Sequence, residues 1–251
     1  MSTVLVTRPA SQADELIQML AARGIGSIAV PTVQTTPVRD NSRLDAALRS
    51  LGDVSWLVIT SVNGANALLA RLPTIGGRLP PGTRLAAVGP ATARALDDGG
   101  LRVDHVPARY RTVEIADGLG DIHGQRIVLA RTNAATPELR DTLLRGGARV
   151  DEVVIYRTVE GPASSRDPLQ AALRQPLDGV TFTSGSTVRG LRALLSPPDQ
   201  RRATALPAFC IGPVTAEVAR RAGFDVAVVS SEYTVAALAN AIHRYFTKGN
   251  E

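Results

Sequence analysis

One pattern in this chain returns after 123 residues, and it returns in strands, turns and helix starts alike. Val4-Leu5-Val6-Thr7-Arg8 comes back as Ile127-Val128-Leu129-Ala130-Arg131, Glu15 as Glu138, Gly24 as Gly147, Thr60-Ser61 as Thr183-Ser184 and Gly89 as Gly212. A period this long is too long for a solenoid repeat and marks the duplication of a whole α/β half. Two similar α/β lobes, or one interlaced pair, are therefore expected. Alternating strands and helices argue for mostly parallel sheets, with ligands received at the carboxyl ends of the strands.

The clearest pair of copies is Val88-Gly89-Pro90-Ala91-Thr92-Ala93 and Ile211-Gly212-Pro213-Val214-Thr215-Ala216. Each follows an apolar run and opens an alternation with helical spacing, so each reads as a strand running into a helix. Glycine allows a tight turn and the close approach of a ligand, and proline fits the first helical position, where its missing N–H is not needed. Thr92 and Thr215 then fall in the first turn, where free N–H groups and the helix dipole attract anions. Two readings stand side by side: an ordinary helix start, or a cradle for a carboxylate or phosphate.

Along the chain, Val4 to Thr7 reads as a strand, followed by Arg8-Pro9 and a capping-box-like start at Ser11 and Asp14 to a helix ending at Gly24. A second strand lies around Ile28 to Val30, an extended segment reaches Val38, and a short helix lies near Leu44 to Leu51. Trp56 to Thr60 is a buried strand, and Ser61-Val62-Asn63-Gly64 opens a helix. A short strand near Val103 precedes Thr112, a cap for a helix from Val113 to Leu119. Val153-Val154-Ile155-Tyr156 is a strongly apolar strand that Tyr156 ends.

The residues able to carry chemistry lie at these strand ends. Arg8 and Arg131 are equivalent, and a guanidinium there can fork onto a carboxylate or pair with an acidic neighbour. Ser61, Asn63, Ser184, Gly185, Ser186 and Thr187 cluster at the two Thr-Ser turns, as caps or as hydroxyl and N–H ligands of an acid. Tyr156 is a packing residue with a wet hydroxyl, or a residue overlooking a cleft. Gly-x-Gly-x-x-Gly after a strand, Gly-x-x-x-x-Gly-Lys and Gly-x-Ser-x-Gly are all missing, so dinucleotide, nucleoside triphosphate and serine-hydrolase chemistry are unsupported.

Composition narrows the partner. The single Cys210 lies in an apolar run and three histidines are scattered, so no disulfide and no metal are expected. No apolar run approaches the roughly 20 residues of a membrane span, and the start leads directly into a strand, so a cytoplasmic protein is expected. The net charge of +5 is carried mostly by arginines spread along the chain, with 4% aromatic residues. That fits a small acidic ligand better than nucleic acid.

In order, Val4 to Pro9 (VLVTRP), Thr60 to Asn63 (TSVN), Val88 to Ala93 (VGPATA), Gly146 to Tyr156 (GGARVDEVVIY), Phe182 to Ser186 (FTSGS), Ile211 to Ala216 (IGPVTA) and Thr234 with Leu238 match a known pattern. The chain resembles the uroporphyrinogen-III synthase family, cofactor-free enzymes that close the linear tetrapyrrole hydroxymethylbilane while inverting its last ring. The resemblance covers essentially the whole chain.

It implies two flavodoxin-like α/β lobes joined by a two-stranded connection, with the active-site cleft between them. Residues 1–37 with 161–251 would form one lobe, 40–157 the other, and 38–39 with 158–160 the linkers. It implies a substrate with eight carboxylates and no cofactor; apart from the resemblance, a monomer that binds neither membrane nor nucleic acid is expected. Tyr156 would be the general acid, and Thr92, Ser61, Ser184 and Thr215 substrate contacts. Beside these stand Arg8, Asn63, Gly89, Arg131, Gly185, Ser186 and Gly212 from the strand-end reading. The competing expectation is a non-catalytic tetrapyrrole-binding or regulatory module of the same fold.

Overall fold

The computed structural model describes residues 2–108 and 112–248, so Met1, the Arg109-Tyr110-Arg111 stretch and Gly249 to Glu251 lie outside the described residues. The chain divides into two compact units, Met1–Gln34 with Val159–Glu251, and Thr35–Thr158. It opens with β1 (Thr3–Val6), α1 (Ala10–Ala21), β2 (Gly26–Ala29), β3 (Val33–Pro37), α2 (Ser42–Arg49), β4 (Trp56–Ile59), α3 (Val62–Thr74), β5 (Arg84–Ala87) and α4 (Pro90–Asp98). Then come β6 (Arg126–Thr132), α5 (Glu138–Arg145), β7 (Arg149–Glu160), α6 (Arg166–Leu173), β8 (Gly179–Phe182), α7 (Gly185–Leu194), α8 (Pro197–Thr204), β9 (Ala208–Cys210), α9 (Pro213–Arg221), β10 (Val226–Val229) and α10 (Val235–Lys248).

Two five-stranded sheets result, ordered β10-β9-β8-β1-β2 and β3-β7-β6-β4-β5. The pairs β1–β2, β1–β8, β8–β9 and β9–β10 are parallel, as are β4–β5, β4–β6 and β6–β7. The internal repeat extends to register. Leu5 lies opposite Val180 in the first sheet, and their equivalents Val128 and Leu57 lie opposite each other in the second. Val180 faces Ala208 as Leu57 faces Leu85. Each sheet takes its strands from both copies, the early strands of one and the late strands of the other. The two copies are therefore interlaced in the sheets. Strands β3 and β7, neighbours in the second sheet, carry the chain across the boundary between units, and residues 158–160 are the end of β7.

Both faces of each sheet are covered, which is why the inner strands are continuous apolar runs rather than alternating ones. In β4, Leu57 and Ile59 join one core cluster while Trp56 and Val58 join the cluster on the opposite face. In β1, Leu5 packs on one face and Val4 and Val6 on the other. Each of these fully enclosed Leu, Ile and Val side chains contributes roughly 1.5–3 kcal/mol over exposure.

Three local expectations change. Helix α1 starts at Ala10 with Pro9 as its cap residue and no side-chain cap bond, so Ser11 is an exposed first-turn residue and not a capping box. Proline's fixed φ, here −50°, sets the helix start in its place. The segment near Val103 makes only an isolated parallel bridge, Ala86 to His105, on the outer edge beside β5, and Thr112 to Gly118 is a 3-10 turn in place of an α-helix. Its duplicate positions in the first unit are the full strand β10 and helix α10.

Candidate functional site

In a doubly wound sheet, ligands enter at the carboxyl ends of the strands where the strand order reverses. In the second sheet that point lies between β6 and β4. The turn after β4 begins with Ser61, whose extended backbone (φ −165°, ψ 158°) makes it the N-cap of α3. Its Oγ accepts the Gly64 N–H at 3.0 Å, and the same oxygen lies 2.9 Å from the hydroxyl of Tyr156. A Cβ on Gly64 would meet Ile59 and the Ser61 Oγ at 3.3 Å and the Tyr156 ring at 3.7 Å, so this corner is closely packed.

Tyr156 is a residue inside β7, which continues through Glu160, not the end of the strand. It is 8% exposed. Burial pushes its phenol above the ordinary value, and hydrogen bonds with Ser61 and Thr132 offset this only in part. The phenol therefore stays protonated through the neutral range, the state a donor requires. Thr132, opposite Tyr156 in register, escaped the sequence reading. Its only signal was its place next to Arg131 at the end of β6. Its hydroxyl also lies 2.7 Å from that of Thr158.

Asn63 lies two residues beyond Ser61, and its Nδ2 donates to the Thr35 hydroxyl at 3.3 Å. Asn63, Thr35, Asn66, Ala67, Ile155 and Tyr156 are among the residues that line a cavity of about 410 Å³ within the second unit. Arg71 on its wall is held by Asp45 in two hydrogen bonds, so the lining presents amides and hydroxyls over an apolar floor.

The first unit carries the equivalent turn. Ser184 caps α7 with the same backbone angles as Ser61 (φ −164°, ψ 161°), receives the Thr187 N–H at 3.3 Å and completes a capping box with that residue. Its Oγ lies 2.8 Å from the Ser186 hydroxyl. A Cβ on Gly185 would approach the Arg189 guanidinium at 3.1 Å and Val218 at 3.2 Å.

Gly89 and Gly212 are the N-caps of α4 and α9, with Pro90 and Pro213 in the first turn as expected. Their φ values, −171° and −175°, are open to any residue, so the turn itself does not demand glycine. At Gly212 a Cβ would lie 2.7 Å from Cδ1 of Tyr233, a side chain 67% exposed that would have to shift. Thr92 and Thr215 are buried, and it is Pro90, Ala91, Pro213 and Val214 that face outward from these first turns.

The two arginines differ. Arg131 is 2% exposed, its Nε and Nη2 each 2.7 Å from Glu152 and its Nη1 donating to the Thr136 carbonyl at 2.8 Å. Three of its five N–H donors are thus engaged within the protein. Among the described residues, Arg8 has Glu15 as its one ion-pair partner, at 3.9 Å. Cys210, fully buried in β9, has its thiol pushed up to about 11 by burial, as suits a packing residue.

With this geometry in view, the chain matches over residues 14–240 the family described as uroporphyrinogen-III synthase HemD. The chain belongs to the uroporphyrinogen-III synthase family. That family acts in porphyrin biosynthesis and cyclises hydroxymethylbilane. Among its relatives, the uroporphyrinogen-III synthase of Synechococcus elongatus is 29% identical over 97% of this chain and 95% of its own length. The porphyrin biosynthesis protein HemD of Ruminiclostridium josui is 28% identical over 87% of this chain, which spans 44% of that longer protein. In fold, the chain is similar to a mutant uroporphyrinogen III synthase of the extremely thermophilic bacterium Thermus thermophilus, with a TM-score of 0.73 at 20% identity, covering 99% of this chain and 100% of that one. The synthetase of Helicobacter pylori gives 0.64 at 15% identity over the full length of both. No helix among the described residues is long and apolar enough to cross a membrane.

Proposed function

We propose that this chain is itself a uroporphyrinogen-III synthase, acting alone, without a cofactor and in the cytoplasm, with Tyr156 as its general acid. The observation that carries this reading is the buried, protonated phenol of Tyr156, 2.9 Å from the Ser61 hydroxyl at the strand-order reversal of the second unit.

The chemistry fits what that group can do. The hydroxyl on the first ring's hydroxymethyl carbon leaves as the pyrrole nitrogen pushes electrons into the ring, and the Tyr156 proton goes to the departing oxygen, giving water, an azafulvenium cation and the Tyr156 phenolate. The last ring attacks that carbon through its own substituted carbon, forming a spiro intermediate. This opens and recloses with the ring inverted, and the proton lost on closure restores the phenol. Because the pyrrole supplies most of the driving force, a weak acid held in place suffices. Hydroxymethylbilane also closes without help to the uninverted isomer, so the protein's main contribution is to hold the chain folded for spiro attack. Strand-end hydroxyls and helix N-termini in each unit, on a chain of net charge +5, suit a substrate of eight carboxylates. The spread of the arginines supports this ligand over a nucleic acid.

The test is product identity. Freshly made hydroxymethylbilane is incubated with the protein, and the oxidised products are separated. Type III uroporphyrin in excess is the expected result. Type I alone, at the spontaneous rate and with folded protein, sinks the reading and favours a non-catalytic tetrapyrrole-binding module.

A further inference from the structure

Arg8 and Arg131 occupy the same place in the two copies, yet only one of them has its partners. In the second unit, Glu152 lies opposite Leu129 and supplies the carboxylate for Arg131 Nε, while the Thr136 carbonyl takes Nη1. In the first unit the position opposite Val6 is Ala29, exposed and without a carboxylate. The residue equivalent to Thr136 is Ala13, which lies inside α1, where its carbonyl belongs to the helical ladder. Helix α1 starts five residues earlier in the repeat than α5 does, and this removes the loop that serves Arg131.

The consequence is visible at the guanidinium. The Arg8 side chain is 12% exposed, and its Nε and Nη1 are enclosed without a hydrogen-bond partner. These are the two atoms whose counterparts in Arg131 meet Glu152 and Thr136. Glu15 does not replace them, since it stands 3.9 Å away with more than half its side chain in water, and it has its own duplicate in Glu138. Burial lowers the Arg8 pKa from its ordinary value, and the Glu15 charge offsets this only in part. Arg8 follows β1, next to β8 and its Ser184 turn, at the strand-order reversal of the first sheet.

We infer that Arg8, and not Arg131, is an anion-binding residue: a carboxylate of the ligand takes in the first unit the place that the Glu152 carboxylate takes in the second. The identity of the ligand as the bilane rests on the proposed function; the binding of a carboxylate does not.

Two substitutions test it. Ala29→Glu gives Arg8 the internal counter-ion that its duplicate has, and Arg8→Met keeps the apolar stem while removing the charge. Losing one charged hydrogen-bonded contact corresponds to about tenfold or more in affinity. For each variant the KM for hydroxymethylbilane is expected to rise about tenfold with a smaller change in kcat, and binding of the octacarboxylate uroporphyrin III, read by fluorescence quenching, to weaken by about as much. The melting temperature of Ala29→Glu should not fall. Wild-type KM and wild-type uroporphyrin binding in Ala29→Glu would overturn the inference, and so would a purely structural pattern, with Arg8→Met unstable and Ala29→Glu binding normally. If the wild-type protein forms only the type I product but the variants lose uroporphyrin binding, the proposed function fails and the inference stands. If type III is formed and neither variant changes KM or binding, the inference fails and the function stands.

Discussion

Tyr156 and Arg131 show how burial decides what a side chain can do. A phenol taken out of water holds its proton more tightly, and a guanidinium taken out of water must find a carboxylate. At Arg131 that carboxylate is Glu152, so Glu152→Gln should destabilise the protein by about 2 kcal/mol. This is less than the roughly 3–5 kcal/mol of a fully enclosed pair, because the carboxylate is partly wetted. Urea denaturation checks it, and an unchanged midpoint would show the pair to be neutral. The buried phenol and the Cys210 thiol make a second prediction. Both have folded pKa values above their ordinary ones, about 10 and 8.5, so each stabilises the fold fully below its ordinary value and loses that contribution as pH rises. Stability should therefore be level from neutral to about pH 8.5 and fall between there and about 11. Melting temperatures across that range measure it, and a flat profile to pH 11 contradicts it. Little of this was legible in the sequence. The partner of Arg131 lies on the next strand, 21 residues on, and no local pattern announces it.

At the scale of elements, the sequence was far more open. Buried strands such as Trp56 to Ile59 and Ile127 to Ala130 are runs of apolar residues between turn signals, and the 123-residue echo placed their equivalents without any structure. What sequence pattern could not separate is a strand near Val103 from a single bridge at His105, or an α-helix from the 3-10 turn that starts at Thr112, because both follow from packing partners and not from local propensity. Packing also fixes α7. Gly190 in that helix sits against Thr32, where an added Cβ would lie 2.0 Å from the backbone oxygen. Its duplicate is Ala67, which faces the cavity and has room for its methyl. Gly190→Ala should thus cost about 1–3 kcal/mol despite alanine's better helix propensity. Equal or higher stability in a denaturant titration would mean that α7 shifts freely.

At the scale of the whole molecule, the duplication explains why four strands of each sheet, β9-β8-β1-β2 and β5-β4-β6-β7, share order and register while the strands come from both copies. The repeat was plain in the sequence, but interlacing was not, since either pairing of halves satisfies the same local pattern. Residues 35–158 form a unit with its own core clusters, so a fragment of that span is expected to unfold cooperatively on its own. A fragment without a cooperative transition would show that its core depends on the remaining chain. The central claim concerns what this unit does chemically, and the most direct measurement is the rate of type III uroporphyrinogen formation by Tyr156→Phe beside the wild type, with the fold of both verified by circular dichroism. A loss of about a hundredfold is expected, the lower end of what a positioned proton donor contributes. A rate within about twofold of the wild type would contradict it and remove Tyr156 from the acid step.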